Sequence, residues 1–353
     1  QLFKPWAPDP PASPGRWFKL ERRLSKLDWI DSPIAPPWVA RAQAPFIASF
    51  YSFKGGVGRT TALLSCAYQL AQQGTPVAVV DLDLEAPGLG SALATEPPRR
   101  GVLDFLVEYL VHERADALDD YVTRASALGD ELAPLVAVYP AGDLQRSFLE
   151  KLGRLDFLGK PDDGVRRSPV GEALEALLTA MRRQPPSGFP VPEVILLDSR
   201  AGLHDLAGLA LHGLSHLDVL CARATRQSLD GLDLTLCTLG QRKQGLRELP
   251  RCVVVHTMAA DSDAALAHES SYFLDRSYAA FLQHIYEPLQ RRGDLPQLPP
   301  RDGSKAYPHE PEVLPYNNQL ARFDTLTPTV LGQLAQPPYQ QLLQRILQAR
   351  PRS

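Results

Sequence analysis

Only four of the 353 residues are cysteine: Cys66, Cys221, Cys237 and Cys252. They lie far apart among apolar neighbours and form no CxxC pair, which argues against a zinc site. Buried free thiols are the better reading, and they fit a reducing compartment and a cytoplasmic location. An excess of one charge is lacking as well. Lys and Arg number 37 against 40 Asp and Glu, for a formal net charge of −3. No overall basic field draws such a chain toward nucleic acid or anionic lipid. No apolar run approaches the roughly 18 residues of a membrane span, and no signal peptide is visible. The first residue is Gln1 rather than Met, as in a fragment or a processed product. No Ser, Cys or His constellation suggests a nucleophilic triad. What is present is ordinary for a globular chain, with 44% hydrophobic and 22% charged residues. The length suits one large domain, or one and a half, with an ample core.

Residues 1–45 are rich in proline and read as an appendage. Within them, "RWFKLERRLSKLDWI" spaces Trp17, Leu20, Leu24 and Leu27 as on a helix. Arg16, Lys19, Arg22, Arg23 and Lys26 make that helix basic. It would pack on the main domain or serve a partner or membrane surface. From Phe46 the pattern changes. "FIASFY", "PVAVVDLD", "LAPLVAVYP", "EVILLDS", "HLDVLCARA" and "RCVVVHTM" are short apolar runs rich in β-branched residues. Amphipathic helical stretches at 60–73, 101–113 and 171–183 lie between them. This alternation predicts an α/β fold, a doubly wound and mostly parallel β-sheet flanked by helices. Residues 46–335 form that domain, with an irregular, proline-rich stretch at 293–318. Residues 336–353 are a C-terminal helix and tail, whose Tyr339, Leu342, Leu343, Ile346 and Leu347 form a packing stripe.

The chemistry concentrates in "SFKGGVGRTT". A strand, a glycine-rich turn and a helix in that order make an anion site. Glycines let the backbone approach phosphates, and successive amides at a helix start hold the charge. Gly55, Gly56, Val57, Gly58, Arg59, Thr60 and Thr61 form that loop and helix start, and Thr60 is placed to ligate Mg²⁺ through its hydroxyl. Downstream, "DLDLEAPGLG" puts Asp81 and Asp83 two apart at a strand end, so their side chains share one direction. Asp198 ends the strand of "VILLDSRAGLHD", where it can hold a Mg²⁺-bound water. Glu85 reads as a solvated loop carboxylate. Arg200 reads equally as a phosphate or partner contact and as solvated surface.

These phrases resemble the ParA/MinD family of P-loop ATPases over roughly residues 46–335. "KGGVGRTT" resembles their deviant Walker A loop, Lys-Gly-Gly-x-Gly-Lys-Ser/Thr, in its arginine-type form. The resemblance implies an ATP-binding and hydrolysing switch with ATP and Mg²⁺ as cofactors. It implies a homodimer that sandwiches two nucleotides, with Lys54 acting across the interface like an arginine finger. Asp83 matches the residue that orients the attacking water. Asp81 matches the residue supporting Mg²⁺, alongside Thr60 and Asp198, and Gly202 the backbone sensor of the γ-phosphate. Arg59 departs from the family's lysine. It keeps the charge but replaces a compact ammonium by a planar fork. An active site and a nucleotide-bound but non-hydrolysing scaffold both remain readings of it. "ATRQSLDGLDL" matches a later family segment through Gln227 and Gly231. "VVVHTM" puts His256 and Thr257 where relatives often carry a base-reading Asn, and "VLPYNNQLARF" points to Pro315 and Tyr316 near the base. The absence of an Asn-Lys-x-Asp signature favours ATP over GTP. The arginine-type relatives suggest a protein partner in a signalling or defence-type system. DNA and membrane binding, known among ParA and MinD relatives, lack support from charge; "QRKQGLRELPR" at 241–251 is a modest basic patch.

Overall fold

A computed structural model describes residues 3–5, 18–20, 26, 29, 35–41, 44–96, 99–114, 117–155, 161–162, 165–166, 168–241, 249–321 and 325–350. Two short ribbons stand apart from the main sheet. β1 (Phe3–Pro5) pairs antiparallel with β2 (Phe18–Leu20). The main sheet begins with β3 (Phe46–Tyr51), β4 (Val77–Leu82), β5 (Thr123–Arg124) and β6 (Val136–Tyr139). β7 (Pro161–Asp162) and β8 (Val165–Arg166) form the second ribbon. The sheet then takes β9 (Val194–Ser199), β10 (Leu217–Ala222), β11 (Cys252–Ala259) and β12 (Glu312–Pro315). Its eight strands run in the order β12-β11-β10-β3-β9-β4-β6-β5. Every neighbouring pair is parallel except β5 with β6. The six apolar runs of the sequence are the six interior strands. The two edges carried no such signal. β5 is two residues long, and β12 lies within the proline-rich stretch that reads as irregular.

The alternation of side chains along each strand sorts the core into two faces. Phe46, Ala48 and Phe50 of β3 join Val77 and Val79 of β4 and Val253 and Val255 of β11 on one face. That face is covered by α1 (Arg59–Gln72), through Leu63, Cys66, Ala67 and Leu70. α1 ends where the sequence places its stop, with Gly74 at φ 74° and its amide bonded to the Ala71 carbonyl. Ile47, Ala78, Val80, Ile195 and Leu197 point to the other face. There they meet α2 (Val102–His112) and α3 (Pro169–Arg183), whose sides carry Leu103, Leu106, Leu174 and Leu177. Under the opposite half of the sheet, α4 (Arg226–Gly240) and α5 (Asp263–Phe281) pack Leu236, Phe273 and Phe281 against Leu220 and Val254. Strands covered on both faces bury continuous apolar runs, which is why these six were legible.

The C-terminal stripe does what its spacing suggests. α6 (Pro337–Gln348) buries Tyr339, Leu342, Leu343 and Ile346 in the same cluster as α1. The N-terminal expectation fares differently. Phe18–Leu20, inside the proposed helix, is strand. Trp17, Leu24 and Leu27 lie outside the described residues, as does 242–248 of the basic patch. All four cysteines are free; Cys66, Cys221 and Cys252 are buried and Cys237 half-buried. Among the described residues no helix is long and apolar enough to cross a membrane.

Candidate functional site

β3 delivers the chain to residues 52–58, and α1 begins at Arg59. Gly56 and Gly58 have φ of 68° and 86°, in the left-handed region that favours glycine. A Cβ at Gly55 or Gly56 would meet nothing within 4 Å, so the space over the loop is open. Val57 is buried and anchors the loop from below, while Lys54 is exposed. Gly58, the N-cap of α1, offers no side-chain cap. The first amides of this 14-residue helix therefore have no side chain bound at the cap, as an anion site requires.

Beneath the loop lies a buried charge cluster. Arg59 is 8% exposed. Its Nε donates to Asp198 Oδ1 at 2.5 Å and its Nη2 to Asp83 Oδ2 at 3.0 Å. Thr60 Oγ1 donates to the other Asp198 oxygen at 2.7 Å. Burial works against the Arg59 charge, but Asp198 and Asp83 outweigh it and hold the guanidinium above its ordinary pKa. Burial raises the Asp198 carboxyl, and Arg59 and Thr60 oppose that rise. The structure thus brings Arg59, Thr60, Asp83 and Asp198 together at one point. The planar fork matters here, because one guanidinium spans two carboxylates.

Asp81, which the resemblance matches to Mg²⁺ support, here accepts from three backbone amides. Its Oδ1 accepts from the Asp83 amide at 3.1 Å, and its Oδ2 from the Gly88 and Leu89 amides at 3.0 Å each. It organises the loop after β4. Burial, then the neighbouring Asp198, pushes its carboxyl up to about 7. Glu85 and Arg200 tie the two loops together rather than facing solvent alone. Arg200 pairs with Glu85, and His204 Nε2 lies 3.3 Å from the same carboxylate. Gly202 has φ 76°, and its amide donates to the Ser52 carbonyl at 3.1 Å.

A narrow cleft flanks the start of α1. Gly58, Thr61, Thr257, Met258, Pro315 and Tyr316 line it. Pro315, Tyr316 and Thr61 therefore stand together beside the loop. His256 does not. It is fully buried on the far face of the sheet, stacked on Phe273 with ring centroids 4.5 Å apart. Burial lowers its pKa to about 4. Of the two residues the sequence offers here, strand alternation selects Thr257: Val254 and His256 share one face, so Thr257 falls on the cleft side. Met258, at φ 50°, marks a bulge between His256 and Ala259 that turns residues 257–258 toward the cleft. Gly231, in α4, faces the loop from its other flank. A Cβ there would sit 2.1 Å from Phe53 Cγ, so glycine is required for Phe53 to pack.

The CobQ/CobB/MinD/ParA nucleotide binding domain family (CbiA) matches residues 48–272, more than half of the chain. The chain belongs to this family. Among solved structures, the ParA of pNOB8 bound to nonspecific DNA superposes at a TM-score of 0.51 with 14% identity, covering 86% of this chain and 98% of that one. A plasmid partition protein of Borrelia burgdorferi B31 bound to AMPPNP superposes at 0.50 with 15% identity, over 87% and 98%. Identities this low carry the fold alone. Comparison with curated proteins returns no match. A CobQ/CobB/MinD/ParA nucleotide-binding domain needs an anion cradle and a place for a hard cation, and the residues present fit both. The loop is open above Gly55 and Gly56. The Asp83–Asp198 pair is one that demands positive charge, and Thr60 adds a hydroxyl oxygen.

Proposed function

We propose that this chain is a Mg²⁺-dependent ATPase switch of the deviant Walker A, arginine type, and that ATP closes it into a homodimer regulating a protein partner. The observation that carries the reading is the division of labour between two cations. Arg59 is buried against Asp83 and Asp198, whereas Lys54 is exposed at the mouth of the loop. A lysine held outside the site has no internal job, and it suits a charge delivered to a neighbouring subunit's nucleotide. In this scheme the amides of residues 55–61 bind the phosphates, and Pro315, Tyr316 and Thr61 flank the base. Thr60 and Asp198 would hold the magnesium ion, with Asp81 in support through the loop it orders. Bound there, the ion would supply positive charge to the phosphates. Asp83 orients the attacking water once the Arg59 fork turns from it to phosphate oxygens, and Gly202 gives its amide to the γ-phosphate. The residue roles, the homodimer, ATP as the nucleotide and the domain limits 46–335 are all part of this proposal.

The test is phosphate release from Mg²⁺-ATP by the chain and by Lys54→Ala, with the mass in solution measured in AMPPNP. We expect turnover that the substitution removes at least 100-fold without weakening nucleotide binding, in line with the known size of finger effects. Normal turnover by Lys54→Ala would end the trans-lysine idea. One observation favours a second reading, a nucleotide-bound scaffold that does not hydrolyse. Arg59 already engages both Asp83 and Asp198, so the acid assigned to water is occupied. Co-purifying ATP that never turns over would support it.

A further inference from the structure

Two residues upstream of the domain grip the loop that follows β9. Lys26 donates to the Asp205 carboxylate twice, from its amide at 3.0 Å and its ammonium at 3.1 Å. Trp29 Nε1 donates to the His204 carbonyl at 2.7 Å. The indole is only 2% exposed and packs against Tyr51 with the rings tilted at 60° and their centroids 5.7 Å apart. Tyr51 closes the circuit by donating its hydroxyl to the Gly202 carbonyl at 3.2 Å. The Lys26 amide and ammonium act on one carboxylate, and Lys26 itself sits at φ 69° to present both. A residue held in the left-handed region for a long-range contact is an arrangement the backbone resists unless the contact compensates.

The position of the gripped loop gives the contact its meaning. Asp198 is the penultimate residue of β9, and Gly202 follows four residues later. The Gly202 amide is bonded to Ser52, in the phosphate loop's own strand exit. To reach a γ-phosphate it must leave that carbonyl. Trp29 and Lys26 hold His204 and Asp205, immediately beyond, and so hold the loop where it is.

We infer that Lys26 and Trp29 form an intrachain strap that stabilises the phosphate-free position of the 200–205 loop, so that nucleotide closure and strap release are coupled. The inference rests on the nucleotide reading above. A contact present in only one of two loop positions shifts the equilibrium by its differential free energy, and the coupling is reciprocal. A partner that captures the segment around Lys26 and Trp29 would thereby favour the nucleotide-bound state. Lys26 and Trp29 are positioning residues; neither touches the phosphate loop's open side.

The experiment uses the full chain and two readouts. Amide hydrogen exchange of residues 200–206 is followed without nucleotide, and AMPPNP affinity is measured with Mg²⁺. Lys26→Ala and Trp29→Ala are compared with the unaltered chain, and Lys26→Arg serves as the conservative rescue. Exchange in 200–206 should rise in both variants. AMPPNP should bind about 5-fold or more tightly, the lower range of measured couplings, and Lys26→Arg should restore both values. Loop exchange unchanged in Lys26→Ala, or AMPPNP bound no more tightly, overturns the strap. A general loss of fold in Trp29→Ala would spread faster exchange over the whole sheet, and Lys26→Ala, at a partly exposed pair, then decides. An unaltered chain that binds no AMPPNP sinks the nucleotide reading and its coupling to the strap, even if the exchange of 200–206 responds to Lys26.

Discussion

Replacing Arg59 by Ala removes the only cation bonded to Asp83 and Asp198 among the described residues. Asp198 is 1% exposed and Asp83 8%, so neither can recover full hydration. Breaking a buried ion pair from one side costs about 3–5 kcal/mol, because the remaining charge is left uncompensated. Unfolding entropy near 2.1 cal/mol/K per residue, taken over the whole chain, makes 1 kcal/mol worth roughly 1.3 °C of Tm. Arg59→Ala should therefore melt about 4–7 °C lower in EDTA. Millimolar Mg²⁺ supplies the missing positive charge to the same carboxylates. It should return much of that loss in the variant while moving the unaltered protein little, since Arg59 already satisfies both acids. Arg59→Ala combined with Asp198→Asn should recover stability relative to Arg59→Ala, since it removes one of the stranded charges. Thermal denaturation by circular dichroism with and without Mg²⁺ reads all of this. If Arg59→Ala melts with the unaltered chain in EDTA, or if Mg²⁺ moves both proteins equally, the cluster is not the cation-demanding site described above.

Gly231→Ala should push Phe53 off its seat, since a Cβ at 2.1 Å from a ring carbon cannot be accommodated. Overpacking of this kind costs about 1–3 kcal/mol, and because Phe53 precedes Lys54, AMPPNP affinity should fall with it; a calorimetric titration that finds unchanged affinity would show the loop to be independent of α4. His256 gives a pH signature. Its folded pKa, lowered by burial from 6.5 to about 4, means the unfolded chain binds the proton first as pH falls. The sign follows: stability from keeping His256 neutral is full above about 6.5 and is lost as pH drops toward 4, by roughly 3 kcal/mol. His256→Leu should lack that component, so urea midpoints at pH 7 and pH 5 should differ less in the variant; an equal difference in both proteins would refute the assignment.

Much of the fold was legible because a parallel sheet covered on both faces makes its strands continuously apolar. The six interior strands and the stop of α1 at Gly74 follow from periodicity and glycine chemistry alone. The edges did not, because an edge strand such as Glu312–Pro315 draws its identity from the neighbour it pairs with. Residue identity at the site was similarly split. The glycines at 56 and 58 with Arg59 and Thr60 at the helix start were readable from the order strand, loop, helix, whereas Asp83 and Asp198 were singled out through the family resemblance. The sequence could not say that Arg59 would bridge two acids 24 and 139 residues away, or that Asp81 would cap a loop.

By itself, the sequence determined the doubly wound architecture and the anion loop, since both are written in local patterns: the period of apolar residues and the glycines that permit left-handed backbone. Only the tertiary structure decided which side of β11 faces the cleft, which carboxylates meet the Arg59 fork, and that Lys26 and Trp29 reach across to His204 and Asp205. Those are contacts between distant segments, fixed by strand register and packing, and no local pattern encodes the partner of a side chain that finds it only when the chain closes.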